Sequence, residues 1–218
     1  MMDIPGISFL LVAGDRDLNL KYRTEVTIAA GVLGLEVETI LVETNHRAHE
    51  DVIAVSDRLI DMMARPWLGA AHDAALDIAE YPVYVYCCNH HMTFRDGRWL
   101  QDLIEALGRP DVAIAGDVRQ IGFGFEALPE YEPFKNNSVP AFDYNSHVQG
   151  GIWAGLTETV SFVRSHPRYP HGYEDVVRSW RLMEMGVKLG HVDAIFSTGV
   201  RGQVCPDDSK YHAIHDYR

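Results

Sequence analysis

The sequence predicts an α/β fold, a single domain in which helices cover both faces of a mainly parallel central sheet. Short apolar runs of a buried-strand kind alternate with longer segments whose apolar residues recur at helical spacing. Several helical segments end at Gly or Pro, as helices commonly do. Of the 218 residues, 47% are hydrophobic, which is enough for one sizeable core. We therefore expect residues 1–218 to form one domain.

In the first half of the chain, strands and helices are predicted to alternate regularly. The segments are, in order, a strand over 7–13, a helix over 20–33, a strand over 36–42, a helix over 51–64, a short helix over 69–79 and a strand over 83–88. Gly34 closes the first helix, and Pro66 stops the second. The helix over 51–64 is predicted from apolar residues at helical spacing, among them Leu59 and Ile60.

The second half of the chain has the same alternation around one long irregular segment. Asp96 is the predicted N-cap of a helix that Gly108 ends. The further segments are a strand over 112–115, a short strand over 152–154, a helix that begins at 158, a helix over 174–185 and a last strand over 192–196. Residues 117–149 are predicted to be a long loop, and loops of that length are usually functional or mobile. A polar tail follows from residue 199.

Charge and cysteine usage exclude some classes of protein. The formal net charge of −12 argues against a nucleic-acid binder that follows the phosphate backbone. The three cysteines, Cys87, Cys88 and Cys205, cannot make a disulfide framework, which fits a reducing compartment. No apolar stretch approaches the roughly 18 residues that a membrane span needs. These features predict a cytoplasmic protein without a transmembrane segment, and peripheral association with a membrane is left open.

Polar residues stand where the predicted parallel strands end. Asp15 follows the first strand, Glu43 follows the second, and Asn89-His90-His91 follow the strand over 83–88. Ligands of open α/β sheets bind outside the carboxyl ends of the strands. We therefore expect a ligand site among these residues.

Four stretches of the sequence, taken in order, form a pattern of known type. They are Leu41-Val42-Glu43-Thr44-Asn45; Gly69-Ala70-Ala71-His72-Asp73 with Tyr84 to His91; Trp99-Leu100 with Leu103; and Gly150-Gly151 followed by His171-Gly172-Tyr173-Glu174-Asp175, Trp180-Arg181-Leu182 and Gly186. Together they resemble glycosyltransferases of the GT-A fold, especially family 2 enzymes of the rhamnosyltransferase-like kind. The resemblance spans about residues 7–198. It implies a Rossmann-like GT-A domain with a nucleotide-binding half over about 1–116, an acceptor-side half over about 117–198 and a tail over 199–218.

The resemblance implies a nucleotide diphosphate sugar, taken as a UDP-sugar, as donor and a hydroxyl group as acceptor, with an inverting outcome. Asp175 is implied as the catalytic base, with Glu174 beside it. The implied donor contacts are Ala13, Gly14, Asp15 and Arg16 at the base pocket, Glu43 at the nucleoside, and Asn89, His90 and His91 at the diphosphate.

The implied metal site departs from the family pattern. An Asp of the family's turn binds a divalent metal, and His91 stands at that position here. Ser197-Thr198 stand where the family has a later His. Both usual metal ligands are thus missing and the DxD-type motif is altered, with His91 left as a candidate ligand. Because Mg²⁺ and Mn²⁺ prefer oxygen donors, dependence on either ion is left open, as is a softer, nitrogen-ligated metal.

Other interpretations of the same residues stay open. Acidic residues such as Glu174 and Asp175 also stabilise the first turn of a helix through its dipole. Glu43 also fits a solvated acid at a strand end, and Arg16 fits a surface arginine. As a whole, the chain could be a catalytically silent nucleotide-binding relative, which the altered metal positions favour, or a nucleotidyltransferase.

Overall fold

The computed structural model describes residues 4–63, 68–87, 92–94, 97–120, 146–165, 174–192 and 195–197. The strands are β1 (Gly6–Val12), β2 (Glu36–Glu43), β3 (Arg58–Asp61), β4 (Val83–Cys87), β5 (Met92–Phe94), β6 (Val112–Gln120), β7 (Ser146–Leu156), β8 (Lys188–His191) and β9 (Ile195–Ser197). The helices are α1 (Arg16–Val32), α2 (Glu50–Ala54), α3 (Leu68–Leu76), α4 (Trp99–Leu107), α5 (Thr157–Ser161) and α6 (Glu174–Glu184).

The described strands form a seven-stranded sheet in the order β3-β2-β1-β4-β7-β6-β8. Strands β3, β2, β1 and β4 are parallel neighbours. Strand β7 is antiparallel to both β4 and β6, and β8 is parallel to β6. A separate antiparallel pair joins β5 and β9. The prediction of a mainly parallel central sheet is confirmed.

Helices cover both faces of the sheet, as predicted. Side chains of α1 and α4, such as Tyr22, Val26 and Leu103, pack with Phe9 and Val85 on one face. On the other face, α3, α5 and α6 contribute a second core cluster of Ala71, Ala75, Val160 and Leu182, packed with Leu10, Tyr84 and Trp153. Successive side chains of β1 and β4 point alternately into the two cores. Both faces of these strands are therefore buried, and this requires nearly continuous apolar sequence.

The predicted helix over 51–64 is wrong. Helix α2 ends at Ala54, and residues Arg58–Asp61 form β3 at the edge of the sheet. There Leu59 pairs with Leu41, and Ile60 pairs with Val42. The spacing of the apolar residues fits a helix as well as a strand. Residues 58–61 form a strand because they hydrogen-bond to the free edge of β2. That pairing is long-range and leaves no signal in a short window of sequence.

The predicted loop over 117–149 is also wrong at both ends. Strand β6 runs on to Gln120, and β7 begins at Ser146, so the short strand predicted over 152–154 is part of an eleven-residue strand. Residues 121–145 lie outside the described part of the chain. Both ends of the predicted loop belong to the sheet because β6 and β7 pair with each other. Val118 pairs with Val148, and Arg119 pairs with His147.

Smaller corrections concern the ends of elements. Helix α1 begins at Arg16, four residues earlier than predicted, because the Asp15 side chain caps it. Helix α4 has Arg98 as its N-cap, so Asp96 is not the cap. The last predicted strand is replaced by β8, which ends before Val192, and by β9. In the part of the chain that the structure describes, no helix is long and apolar enough to cross a membrane.

Candidate functional site

The register of the sheet brings three predicted regions to one side of the sheet. Leu10 of β1 pairs with Tyr86 of β4, and Tyr86 pairs with Trp153 of the antiparallel β7. Ala13 follows the end of β1, and Gly150 precedes Ile152, which pairs with Cys87 at the end of β4. Both residues therefore lie on the side of the sheet where β1 and β4 end, and the pairing of β7 with β6 is irregular there, between Gly116 and Val118. We call this side of the sheet, where β1, β2 and β4 end, the carboxyl edge.

This edge also contains a change of chain direction. From β1 the chain passes through α1 to β2 on one side, and from β3 it crosses through α3 to β4 on the other side. The point between β1 and β4 is therefore the topological switch point, where such sheets bind ligands. Residues 146–151 of β7 extend past Cys87, the last residue of β4, which pairs with Ile152. They form a wall beside the switch point.

The buried side chain of Asn19 holds the segment that follows β1. Its Nδ2 donates to the Val12 carbonyl at 2.9 Å, and its Oδ1 accepts from the Gly14 backbone amide at 3.1 Å. The Ala13 amide donates to the Val42 carbonyl at 2.9 Å. The Asp15 carboxylate accepts from the Leu18 amide at 2.9 Å and so caps α1. Sequence reasoning overlooked Asn19, although an amide four residues after a capping Asp is visible in the sequence.

Arg16, predicted to meet a phosphate, is paired with two carboxylates. Its guanidinium donates to Asp51 from Nε at 2.7 Å and to Asp17 from Nη1 at 2.8 Å. The hydrogen bond from Arg16 is the main reason that the pKa of Asp51 is lowered. The Arg16 side chain is 48% exposed, so these are surface ion pairs of small energetic value. This geometry is that of the surface arginine considered above.

Glu43 is a buried carboxylate at the end of β2. One of its oxygens accepts from Arg47, and the other accepts from the Ala48 amide at 2.9 Å. Arg47 also donates to Asp61 at 2.8 Å and so links the ends of β2 and β3. The pKa of Asp61 is lowered, first by the Met63 backbone amide and then by Arg47. A carboxylate has about four acceptor positions, so Glu43 retains capacity for a ligand donor.

Asp175 lies in the first turn of α6, against the part of β7 that extends past the sheet. Its Oδ2 accepts from the Gly150 amide at 2.8 Å, and its Oδ1 accepts from the Val176 amide at 2.8 Å. His147 Nε2 is 3.8 Å from Oδ2, which is beyond hydrogen-bonding distance but close enough for an ion pair if the ring is protonated. The Asp175 side chain is 19% exposed. The carboxylate is thus held in one orientation while part of it faces solvent.

A second contact fixes α6 on β7. Ser179 Oγ accepts from the Val148 amide at 3.1 Å and donates to the Asp175 carbonyl at 2.7 Å. Sequence reasoning placed Ser179 in an amphipathic helix and His147 in an irregular loop, and assigned neither to the site. The contacts of both side chains depend on the position of β7, which its pairing with β6 sets. That pairing cannot be predicted from a local sequence pattern.

Some predicted site residues are not placed. Asn89, His90 and His91 lie outside the described residues, and of Glu174, the first residue of α6, only the backbone is described. Within the described ranges, no cluster of three or more His, Cys, Asp or Glu side chains could hold a metal ion. The structure therefore brings together Ala13 to Asp15, Glu43 and Asp175 along one edge, and the predicted diphosphate contacts stay predictions.

Comparison with solved structures finds the same architecture in nucleotide-sugar enzymes. A mannosyltransferase from Pyrobaculum calidifontis, solved with GDP-Man and Mn²⁺, matches with a TM-score of 0.60 and 11% identity over 88% of this chain. The chain has the fold of a GT-A glycosyltransferase. Glucosyl-3-phosphoglycerate synthase from Mycobacterium tuberculosis, solved with Mn²⁺, UDP-glucose and phosphoglyceric acid, matches with a TM-score of 0.58 and 13% identity over 97% of this chain.

The two relatives are longer than this chain. The matched region covers 55% of the mannosyltransferase and 76% of the synthase. No protein-family model and no curated protein matches the sequence. At 11–13% identity the likeness establishes the fold, and it carries no residue of either enzyme over to this chain.

Proposed function

We propose that this chain is a glycosyltransferase that binds a nucleoside diphosphate sugar at the carboxyl edge and transfers the sugar to an acceptor hydroxyl. The position of Asp175 carries the proposal. A partly exposed carboxylate, held by the Gly150 amide, lies against the part of β7 that extends past the end of β4, on the side of the sheet where β1 and β2 also end. In a sheet of this topology, that is the side on which a ligand is expected. The GT-A fold and the nucleotide sugars of the two relatives support the same class of donor.

In the proposed reaction, Asp175 acts as a general base. Its carboxylate takes the proton of the acceptor hydroxyl while that oxygen attacks the anomeric carbon of the donor sugar. The bond from the anomeric carbon to the diphosphate oxygen breaks, and the nucleoside diphosphate leaves with the electron pair. Attack from the face opposite the leaving group inverts the anomeric centre. The Gly150 and Val176 amides fix the carboxylate oxygens, so the base needs little reorientation.

The donor is proposed to lie along the ends of β1, β2 and β4. Ala13, Gly14, Asp15 and Arg16 would border the base, and Glu43 would accept from uracil N3–H or a ribose hydroxyl. Asn89, His90 and His91 would contact the diphosphate. We take UDP as the nucleotide, and GDP, present in one of the relatives, is the alternative to test. We propose the same two-half organisation of the domain, divided near residue 116.

A divalent metal would neutralise charge on the leaving diphosphate. Mn²⁺ accompanies the nucleotide sugar in both relatives, so the fold favours such an ion. The predicted metal ligands fit such an ion poorly, because the candidate ligand His91 offers nitrogen where Mg²⁺ or Mn²⁺ prefers oxygen. The proposed proton transfer by Asp175 does not depend on the ion.

Two measurements on the wild type and on Asp175→Asn test the proposal. Calorimetric titration with UDP and GDP should give the same dissociation constants for both proteins. Release of nucleoside diphosphate from UDP-sugars and GDP-sugars should occur in the wild type and fall at least a hundredfold in Asp175→Asn, a magnitude typical of a lost general base. Asp77→Asn, which alters an exposed carboxylate paired with Arg164, is the matched control and should keep its turnover.

The outcomes separate the alternatives. Persistent turnover in Asp175→Asn would refute the assignment of the base. Binding of nucleotide with no turnover of any sugar donor by the wild type would instead favour the silent nucleotide-binding relative.

A further inference from the structure

A buried cluster of aromatic side chains lies beside one arginine on the face of the sheet that α6 covers. Tyr84 and Tyr86 of β4, Trp153 of β7 and His72 of α3 pack ring against ring, with centroid separations of 4.4–6.2 Å. The Arg178 guanidinium carbon lies 5.1 Å from the centroid of Trp153. Arg178 is only 4% exposed. A full positive charge is therefore held in a mainly apolar interior.

Arg178 lacks an anionic partner among the described residues. Its Nε is buried and has no hydrogen-bond partner, and no carboxylate of the described ranges forms an ion pair with it. The nearest titratable groups do not supply a negative charge. Burial raises the pKa of Tyr84 well above its ordinary value, so the phenol stays neutral. Burial, and then Arg178 itself, lower the pKa of His72, so the imidazole also stays neutral.

Stacking on Trp153 compensates the buried cation only in part. A cation–π contact offsets much less than the full desolvation of a guanidinium, and buried charges in proteins are normally paired. The chain carries an excess of acidic residues, with 31 Asp and Glu against 19 Lys and Arg, so it contains many carboxylates that could pair with a buried arginine. An unpaired buried cation in such a protein is a feature that a bound anion would explain.

The position of Arg178 connects it to the proposed transfer site. It follows Asp175 by three residues on α6, a rise of roughly 4.5 Å along the helix. Its stacking partner Trp153 pairs with Tyr86, one residue before the end of β4. The guanidinium is thus adjacent to the carboxyl edge, on the same helix as the proposed base.

We propose that Arg178 binds an oxyanion of the substrate, a phosphate or carboxylate group, beside the transfer site. The inference depends on the proposed function for the identity of the substrate. A planar guanidinium fixed against Trp153 can present two parallel N–H donors to such a group. The oxyanion has two possible sources, the diphosphate of the donor and an anionic group on the acceptor.

Titration distinguishes the two sources. We would titrate wild type, Arg178→Met and Arg178→Lys with UDP, GDP, uridine and guanosine in the presence of EDTA, and follow the melting temperature in inorganic phosphate. If the diphosphate is the ligand, Arg178→Met should bind UDP or GDP roughly ten- to a hundredfold more weakly, with nucleoside affinity unchanged. If the acceptor supplies the anion, UDP and GDP affinities should be unchanged, and the stabilisation of the wild type by phosphate should be lost in Arg178→Met.

A surface variant provides the control. Lys188→Met removes the same charge from an exposed ion pair with Asp111 and should leave every affinity unchanged. Arg178→Lys keeps the charge but loses the planar pair of donors, so it should bind with intermediate affinity. If the Met variant does not fold, the Lys variant still tests the proposal. In the wild type, the arginine Nε–H resonance assigned to Arg178 should shift when phosphate or UDP is added.

The proposal is overturned if neither variant changes the affinity for UDP, GDP or phosphate and the Arg178 resonance does not move. These readouts require no turnover. A chain that binds phosphate through Arg178 but binds no nucleotide would refute the proposed function and leave this inference standing.

Discussion

The Gly150 backbone amide donates to Asp175 Oδ2 at 2.8 Å, and this bond joins the first turn of α6 to the projecting part of β7. The approach is so close that a Cβ at position 150 would lie 3.3 Å from Oδ2. The lack of a side chain at Gly150 thus permits the close approach of the carboxylate, while the backbone conformation of Gly150 is ordinary. The orientation of the proposed base, Asp175, therefore depends on the lack of a side chain at position 150.

We predict that Gly150→Ala lowers turnover without weakening nucleotide binding. The added methyl group must displace the Asp175 carboxylate by a few tenths of an ångström, and misplacement of a reacting group lowers the rate steeply. We expect kcat to fall roughly tenfold. The matched control is Gly31→Ala on α1, where nothing lies within 4 Å of the new Cβ. Equal kcat values for the two variants would contradict the prediction.

Asn19→Ala should both destabilise the protein and weaken nucleotide binding. The change removes the bonds to Val12 and Gly14 and leaves two partly buried backbone groups, a carbonyl and an amide, without that partner. We expect a loss of about 1–3 kcal/mol in the free energy of unfolding, measured with urea. Calorimetry should show weaker UDP binding because the segment after β1 is loosened. Thr24→Ala, which removes an exposed bond on the same helix, should do neither.

Glu43→Gln tests whether this carboxylate contacts the nucleoside. If it accepts from uracil, an amide should lower the affinity for uridine about tenfold, because a hydrogen bond to a charged group is lost. The variant should also lose some stability, since Arg47 keeps only Asp61 as a charged partner. Glu80→Gln, in an exposed pair with Arg58, is the control. Unchanged uridine affinity would assign Glu43 a structural role alone.

His72 should make stability fall as the pH falls. Its pKa in the folded protein lies well below 6.5, so below pH 6.5 the unfolded state binds a proton that the folded state does not. The His72 contribution is therefore complete above pH 6.5 and is lost below it. The free energy of unfolding of the wild type should therefore decrease as the pH falls below 6.5.

Urea unfolding at several pH values measures the effect. His72→Gln keeps a polar partner for the Tyr84 hydroxyl and should abolish that part of the slope, whereas His46→Gln, at an exposed position, should retain it. A slope that is the same in wild type and His72→Gln would show that His72 is not the group responsible.

The strands that sequence reasoning located well are those buried on both faces. Phe9 to Val12, Ile40 to Val42 and Val83 to Cys87 are runs of apolar and aromatic residues because each strand contacts two cores, and this pattern needs no knowledge of neighbours. Strand β3 was predicted as helix because it lies at the edge, where Arg58 and Asp61 face solvent and the alternation is weak. Strand β7 was underestimated because its first residues pair only with β6, from a distant part of the chain.

The candidate site divides in the same way. Glu43 and Asp15 were recognised because strand ends in an α/β sheet predict ligand residues from position alone. His147 and Arg178 were overlooked because their importance lies in partners far along the chain, Asp175 for His147 and Trp153 for Arg178. Asn19 was overlooked although its partners Val12 and Gly14 are close to it in the sequence.

The sequence by itself determined the fold class, because the apolar period and the Gly and Pro stops are local properties of the chain. It also determined which residues follow the strands. Only the tertiary structure decided that Gly150 and Ala13 lie on the same side of the sheet, that a backbone amide holds Asp175, and that Arg178 is buried with no acidic partner among the described residues. Those facts follow from strand register and helix packing, which are set by contacts between distant segments and are absent from any short stretch of sequence.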